Sequence, residues 1–314
     1  MGIVFVGDLH FRDQEPYYEA GLRFIDWFES QDFNNEENVL VQLGDVTHNS
    51  ILNGRVVRMF LNRFLENLKF KQVYILQGNH DVDNKSKTSV LEPMKDISGV
   101  TVIDEPTVVD IEGVEFLCMP HLISSDMNKI YADVYSYLGI DGDPKRVVLT
   151  HVADESQTLF GKYIDLSYLK EKRRISGHVH KASANYIGTP FHQRYDEREE
   201  RSKVVVYENG EYQDRFVHPI IQFVSVKYGE DIDSIESIPV LDITDAPSID
   251  AAHERYKDYF IRKVFLSEET DSILKTTTQE SDEMTLIDYF NEFAQDRNLT
   301  DFESTKVIEK IQKR

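Results

Sequence analysis

The sequence predicts an α/β protein with a mostly parallel sheet, and three observations lead to this prediction. Short apolar runs recur through the first 180 residues, and most of them end in glycine followed by polar residues. Stretches in which apolar residues recur every three or four positions separate the first three runs. Two later pairs of apolar runs flank Glu112-Gly113 and Asn209-Gly210, which predicts two hairpins. Alternation of strands and helices favours parallel strands with helices outside the sheet.

The strands are predicted from runs with almost no polar interruption, which is typical of strands buried on both faces. These runs are Ile3–Val6, Val39–Leu43, Val73–Gln77, Val147–Thr150 and Arg174–Ser176. The helical spacing predicts two helices over residues 16–30 and 54–69.

The pattern of strand ends stops near residue 218, which predicts a second, smaller α/β domain. There we expect a strand at 220–226, a helix at 248–257 and a strand at 259–266. A polar linker at 276–282 precedes two short amphipathic helices within residues 285–312. The expected domain limits are 1–218, 219–280 and 281–314.

Charge limits the ways in which this chain can meet nucleic acid. It has 35 Lys and Arg against 56 Asp and Glu, a formal net charge of -21. The bulk field therefore repels phosphate backbones, and any DNA binding requires bound cations, a local basic patch or a basic partner. Two local clusters, Lys145-Arg146 and Lys170–Arg174, fit solvated edges equally well.

The composition also indicates the compartment. Hydrophobic residues make up 40% of the chain, which supplies a sizeable core and argues against wholesale disorder. No apolar run approaches the ~20 residues of a membrane helix, and Met1–Phe5 lacks the basic start of a signal peptide. Cys118 is the single cysteine, so no intramolecular disulfide can form. We expect a cytoplasmic protein without a membrane partner.

Metal-binding side chains follow the predicted strands. Ligands of open α/β sheets collect at the carboxyl ends of strands, and six of the ten histidines lie there. The candidates are Asp8, His10, Asp45, His48, Asn79, His80, His151, His178 and His180. Carboxylate and amide oxygens with neutral imidazoles suit a pair of divalent ions such as Mn, Fe or Zn. Each short motif alone is more typical of a surface turn or a buried histidine, but their ordered combination favours a metal centre.

Spacing supports two ions in one pocket. Asp8 and His10 are two residues apart, so both side chains can point the same way in an extended stretch, and His178 and His180 repeat this spacing. Asp45 has two carboxylate oxygens and is the natural bridge between ions about 3.5–4 Å apart.

These motifs resemble those of the calcineurin-like metallophosphoesterases. The matching blocks are Gly7-Asp8-Leu9-His10, Gly44-Asp45, Gly78-Asn79-His80-Asp81, His151 and Gly177-His178-Val179-His180. The resemblance implies a four-layer αββα sandwich with a capping domain and C-terminal helices. It implies one metal at Asp8, His10, Asp45 and His180 and a second metal at Asp45, Asn79, His151 and His178. It implies that His80 is no ligand but stabilises or protonates the leaving group.

Within that family the chain resembles the SbcD-type DNA-repair nucleases, and most closely the nuclease subunit of the recombination complexes of T-even phages. Gly-Asp-x-x-His ending at His48, Gly-Asn-His-Asp ending at Asp81 and the segment Tyr186–Pro190 carry this resemblance. It implies a Mn²⁺-dependent 3′-to-5′ exonuclease and single-strand endonuclease that processes DNA ends. In these nucleases the histidine at the position of His48 helps to orient DNA; the alternative is a histidine that caps a turn or one that supports the metal ligands. The charged segment 192–201 has no residue-level match, and His121 is expected to be structural.

The resemblance also implies partners. Relatives act on DNA with an SbcC-like coiled-coil ATPase of the SMC type and form homodimers through the nuclease domain. We expect the helices within 285–312 to bind that ATPase. Two alternatives stay open: a small-molecule or cyclic-nucleotide phosphodiesterase on the same metal core, and a non-catalytic scaffold subunit of the same complex.

Overall fold

The computed structural model describes residues 1–50, 54–83, 85–122, 126–137, 146–154, 163–171, 173–232 and 236–267. The chain divides into two compact units. Unit 1 comprises Met1–Val224 with Asp233–Val240, and unit 2 comprises Ser225–Ile232 with the chain from Leu241 onward. The predicted domain limits of 1–218, 219–280 and 281–314 stay a prediction.

The described residues contain fifteen strands and four α-helices. The strands are β1 Gly2–Val6, β2 Val39–Gln42, β3 Gln72–Leu76, β4 Val82–Asp83, β5 Thr88–Ser89, β6 Val100–Ile103, β7 Thr107–Ile111, β8 Val114–Met119, β9 Val147–Thr150, β10 Arg173–Ser176, β11 Lys203–Glu208, β12 Glu211–Phe216, β13 Ile221–Lys227, β14 Ile238–Ala246 and β15 Phe260–Leu266. The helices are α1 Tyr17–Glu29, α2 Gly54–Val57, α3 Met127–Tyr137 and α4 Ile249–Arg255. Short 3₁₀ turns cover Glu92–Asp96 and Tyr195–Glu197.

Two sheets form the frame of unit 1. The six-stranded sheet has the order β12-β11-β1-β2-β3-β6, in which β1, β2, β3 and β6 are parallel. The four-stranded sheet has the order β10-β9-β8-β7, in which β8, β9 and β10 are parallel. Both predicted hairpins are confirmed as the antiparallel pairs β7–β8 and β11–β12. Parallel order directs the carboxyl ends of neighbouring strands to one edge.

The main core lies between the two sheets. Phe5 and Val41 of one sheet and Phe116 and Leu149 of the other belong to one buried cluster. Alternate residues on the same strands face outward, as the two-residue period of a strand requires. In the smaller sheet these outward residues meet Tyr131 of α3 in a second buried cluster. In the larger sheet Val4 and Val6 are as buried as Phe5, so β1 is covered on both faces.

This arrangement confirms the predicted α/β class with sheets layered against each other and helices outside. Helix α1 covers most of the predicted 16–30. The predicted helix at 54–69 differs from the observed one, because α2 continues at Arg58–Leu65 as a π-helix. The Glu66 N–H donates to the Leu61 carbonyl five residues earlier, at 3.0 Å. An apolar stripe is compatible with either winding, so the sequence pattern does not distinguish them.

The second half of the described chain contains a three-stranded sheet in the order β13-β14-β15. Strands β13 and β15 and helix α4 confirm the three elements predicted between residues 219 and 267. Ser248 caps α4, since its hydroxyl accepts the Ala251 N–H at 3.0 Å. The linker at 276–282 and the helices within 285–312 lie outside the described residues. In the part of the chain that the structure describes, no helix has the length and apolarity needed to cross a membrane.

The core between the sheets predicts a large cost for truncating Phe5, which is fully buried and lies 6.1 Å from the Phe116 ring, centroid to centroid. Phe5→Ala is expected to lower the free energy of unfolding by about 3–5 kcal/mol, because it removes apolar contacts and leaves a cavity. Phe216→Ala is the control: its side chain is 52% exposed, so the change should stay near ~0.5 kcal/mol. Urea unfolding of both variants measures the difference, and equal losses would contradict this account of the core.

Candidate metal centre

The parallel strands of both sheets bring the predicted metal ligands to one edge of unit 1. Five of the ligands come within three residues after the end of a strand: Asp8, Asp45, Asn79, His151 and His178. Ligand atoms of Asp8, His10 and His180 lie within 4.8 Å of one another, and so do those of Asp45, His151 and His178. Each group contains three of the four ligands predicted for one metal position, and His10, His48 and His80 form a third group of this kind.

The first group combines one carboxylate with two imidazoles. The Nε2 atoms of His10 and His180 are 2.9 Å apart. The backbone N–H of His178 donates to both carboxylate oxygens of Asp8, at 2.9 and 3.1 Å, and so orients that carboxylate. His10 Nε2 also lies 3.5 Å from Asp45 Oδ2. Asp45 therefore borders this group.

The second group contains the amide as well. Asn79 Oδ1 lies 2.7 Å from His178 Nδ1 and 3.2 Å from His151 Nε2. Asp45 Oδ1 lies 3.2 Å from the same His151 nitrogen. Since Asp45 directs one oxygen to each group, it occupies the position of the predicted bridging ligand.

Hydrogen bonds fix which histidine nitrogens are free to bind a metal. His151 Nδ1 lies 2.6 Å from the Leu43 carbonyl, which can only accept, so in the neutral ring Nδ1 carries the proton and Nε2 keeps its lone pair. His180 Nδ1 lies 2.6 Å from the carboxylate of Glu197 and is held in the same way. Buried carboxylates, an amide oxygen and imidazole lone pairs converge, and this donor set fits a pair of divalent cations.

Burial changes the protonation of these groups. It raises the pKa of Asp8 to about 6 and lowers the pKa of His178 to about 3. For Asp45, burial raises the pKa but the neighbouring His151 outweighs it, so the carboxyl pKa lies well below its usual range. For His151, burial lowers the pKa, but Asp45 outweighs it and raises the value to about 9. A bound cation would take the place of the proton that these groups share.

Strained backbone accompanies the ligands. Asp8, His10, Asp45 and His178 have φ values of 46°, 45°, 54° and 76°, in the left-handed region that non-glycine residues avoid. Such conformations cost of order 1–3 kcal/mol each and persist where the surrounding structure enforces them. The strain is therefore concentrated at the residues that converge on the site.

The glycines of the motifs permit this convergence for a steric reason. A Cβ on Gly44 or Gly177 would overlap or crowd the His151 ring. A Cβ on Gly78 would overlap the backbone nitrogen and the carboxylate of Asp45. Each glycine thus lets one ligand-bearing loop pack directly against the next.

His80 and His48 lie next to the metal ligands. His80 Nδ1 donates to the His48 carbonyl at 2.6 Å, which leaves His80 Nε2 uncommitted. The His80 ring lies 4.9 Å from the His10 ring, and the backbone N–H of His80 donates to Asp45 Oδ1 at 2.8 Å. His48 Nε2 accepts from Arg12 at 3.1 Å, so the proton of the neutral ring is on Nδ1. Burial, and after it Arg12, lowers the pKa of His48 to about 4, which keeps the ring neutral.

Three residues that the sequence did not identify as functional support this site. Asp81 is fully buried and accepts the N–H groups of Asp45 and Gly78, both at 2.9 Å. Burial raises the pKa of Asp81 to about 7. Arg12 and Glu197 contact His48 and His180. Only Asp81 had a sequence signal, since it closes the third motif.

The structure also shows where the other candidate residues from the sequence lie. All nine candidates lie at or beside the two ligand groups, and their individual roles stay predictions. Gly188 packs against the loop that carries His180, since its φ is 77° and a Cβ there would lie 2.8 Å from the His180 carbonyl. His121 belongs to neither group; its backbone N–H donates to the Gln77 carbonyl at 2.9 Å.

Two sheets layered against each other, with paired metal-ligand groups at one edge, are typical of the class of metal-dependent phosphoesterases. The family model of the calcineurin-like phosphoesterases matches residues 1–182, and the chain belongs to that family. No curated protein matches the chain in sequence.

Two solved structures are similar to the chain at low identity. A protein of unknown function from Aquifex aeolicus is 18% identical with a TM-score of 0.29, and the match covers 49% of this chain and 81% of that one. The NAD nucleotidase of Haemophilus influenzae is 13% identical with a TM-score of 0.36, and the match covers 90% of this chain and 60% of that one. At these values neither structure defines a substrate for this chain.

The steric role of Gly78 leads to a prediction. In Gly78→Ala the added methyl displaces Asp45, so Mn²⁺ affinity measured by calorimetric titration should fall by at least roughly tenfold. Gly54→Ala is the matched control, because a Cβ there meets nothing within 4 Å and Gly54 begins a helix. It should leave Mn²⁺ affinity unchanged. Wild-type affinity in Gly78→Ala would contradict the close approach of these loops.

Proposed function

We propose that this phosphoesterase is a Mn²⁺-dependent DNA nuclease that processes DNA ends by 3′-to-5′ exonuclease and single-strand endonuclease action. One observation supports nuclease activity in particular, beyond membership of the family. The His48 carbonyl accepts a hydrogen bond from His80 Nδ1, and the His48 ring lies 5.5 Å from both the His10 and His80 rings. The histidine through which the chain resembles SbcD-type nucleases therefore lies beside the metal ligands. His48 Nδ1 is buried and has no hydrogen-bond partner among the described residues.

The residues of the chain divide the work of phosphodiester hydrolysis. Two divalent cations, when bound by the two ligand groups, supply an activated water and neutralise charge on the phosphate. His80 is oriented by its Nδ1–H bond, so Nε2 is the atom that holds a proton for the leaving oxygen. His48 orients the substrate phosphate without adding charge, because burial keeps its ring neutral. Arg12 supplies the nearby positive charge and fixes the His48 tautomer.

Charge supports a partner for DNA binding. One arginine of each basic cluster noted in the sequence is paired with an acidic group, since Arg146 pairs with Glu115 and Arg174 pairs with Asp154. With a net charge of -21, the chain gains affinity for DNA chiefly at the metal centre. The proposal therefore includes an SbcC-like coiled-coil ATPase that provides most of the DNA binding. It also includes a homodimer formed through the nuclease domain.

The role of His80 gives the central test. His80→Ala should reduce Mn²⁺-dependent cleavage of single-stranded and blunt-ended DNA by about 10²–10⁴-fold, because the leaving oxygen loses its proton donor. Mn²⁺ affinity should persist, since His80 is no ligand in the proposal. His218→Ala changes an exposed histidine and is the control. Closed-circular duplex DNA should resist cleavage by the wild-type protein, because this DNA has no end.

Other outcomes of this assay identify the alternatives. Cleavage of p-nitrophenyl phosphodiesters with DNA left intact, alone and with the ATPase, would replace the nuclease by a small-molecule or cyclic-nucleotide phosphodiesterase. Binding of two cations without any hydrolysis would favour a scaffold subunit.

The partner proposal predicts the effect of a truncation. Removing residues 281–314 should abolish co-purification with the coiled-coil ATPase while Mn²⁺-dependent cleavage of single-stranded DNA persists, because the metal ligands all precede residue 181. A pull-down of the ATPase by the full chain and by the truncated chain measures this. Equal recovery of the ATPase by both chains would contradict the proposal that residues 281–314 bind it.

A further inference from the structure

Glu197 is a buried carboxylate whose position the metal ligands alone do not explain. It lies in the 3₁₀ turn Tyr195–Glu197 and is only 2% exposed. A buried carboxylate destabilises a fold unless hydrogen bonds satisfy its oxygens. The contacts of those oxygens therefore indicate its role.

Each oxygen of Glu197 has a separate task. Oε2 accepts two backbone N–H groups of its own segment, from Gln193 at 2.6 Å and from Arg194 at 3.1 Å. Oε1 lies 2.6 Å from Nδ1 of His180. A carboxylate can only accept at this nitrogen, so the neutral His180 ring carries its proton on Nδ1 and directs Nε2 to His10.

We infer that Glu197 is a positioning residue of the metal centre, which fixes the tautomer and ring orientation of His180 so that Nε2 can bind a cation. The inference rests on the two-cation site of the proposed function. A carboxylate that accepts the second N–H of a ligating histidine also makes that histidine a stronger ligand. The segment that carries Glu197 is the charged stretch at 192–201, so this stretch serves the site rather than the solvent alone.

The segment 192–201 also contacts Arg12, which in turn contacts His48. Arg12 donates to the backbone and side-chain oxygens of Gln193, at 3.4 and 3.1 Å, and to His48 at 3.1 Å. Its guanidinium lies 3.3 Å from the centre of the Tyr17 ring. One turn thus fixes a metal ligand through Glu197 and His48 through Arg12.

Glu197→Gln separates positioning from packing because it keeps the size of the side chain. If the amide oxygen keeps the two backbone N–H groups, the amide NH₂ faces His180 Nδ1 and forces the ring proton to Nε2. If the amide is reversed, the NH₂ meets two N–H donors and both bonds are lost. In either case the variant should bind the cation of the Asp8, His10 and His180 group about 10–100-fold more weakly.

The experiment is calorimetric titration of the metal-free full chain with Mn²⁺. Wild type should show two sites, Glu197→Gln should lose affinity at one of them, and His180→Ala should lose the same site. Glu199→Gln is the matched control on the same segment, since Glu199 is 81% exposed, and it should match wild type. Equal Mn²⁺ affinities of Glu197→Gln and wild type would overturn the inference and leave the proposed function standing.

A second measurement needs no variant and so does not depend on whether Glu197→Gln folds. Two-bond ¹⁵N–¹H correlation spectra of the metal-free wild type, above the pH at which His180 loses its charge, report which ring nitrogen carries the proton. A proton on Nδ1 supports the inference, and a proton on Nε2 overturns it. Failure of the wild type to bind two cations would overturn the metal centre itself, and the inference with it.

Discussion

Asp45 connects the loops on which the whole site depends. Its carboxylate contacts His151 from one sheet and His10 and the N–H of His80 from the other. Its backbone N–H donates to Asp81, and its carbonyl accepts the N–H of His10 at 2.9 Å. Four strand ends therefore meet at one buried carboxylate. For Asp8, burial is the largest cause of the raised pKa, repulsion by Asp45 adds to it, and His151 and His180 oppose it. The site is therefore a pocket of partly compensated charge that a pair of cations would stabilise further.

The energetic cost of that convergence is localised. Left-handed backbone at Asp8, His10, Asp45 and His178 opposes folding, and a Cβ at Gly44 or Gly177, next to Asp45 and His178, would overlap neighbouring atoms. The core between the sheets offsets this cost, since β1 and β2 are buried on both faces immediately before the strained loops. Natural proteins tolerate local conflicts of this kind where a site requires them. The strands thus act as rigid supports, and the strain lies in the loops that carry the ligands.

The same physics explains what the sequence predicted and what it did not. Buried parallel strands leave continuous apolar runs, and close loop packing leaves glycine before a ligand, so both features are visible along the chain. Strand β14 was not predicted because Asp242, which pairs with Arg262, interrupts its apolar pattern. Glu197 and Arg12 were not identified because their partners are set by the fold: Arg12 meets Gln193, which is 181 residues away. Spacing along a chain carries no information about such contacts.

The acidity of the chain defines how a phosphate can approach the site. Charges beyond about 8–10 Å are largely screened at physiological salt, so a phosphate near the loops experiences the site more than the net charge of -21. At that range Arg12 is positive, cations held by the two ligand groups would add positive charge, and His48 and His178 are neutral because burial depresses the pKa of both rings. Attraction is therefore short-ranged and confined to the metal centre. A long polyanion such as DNA gains little from the rest of this surface, which is why the proposed nuclease is paired with a partner that binds the duplex.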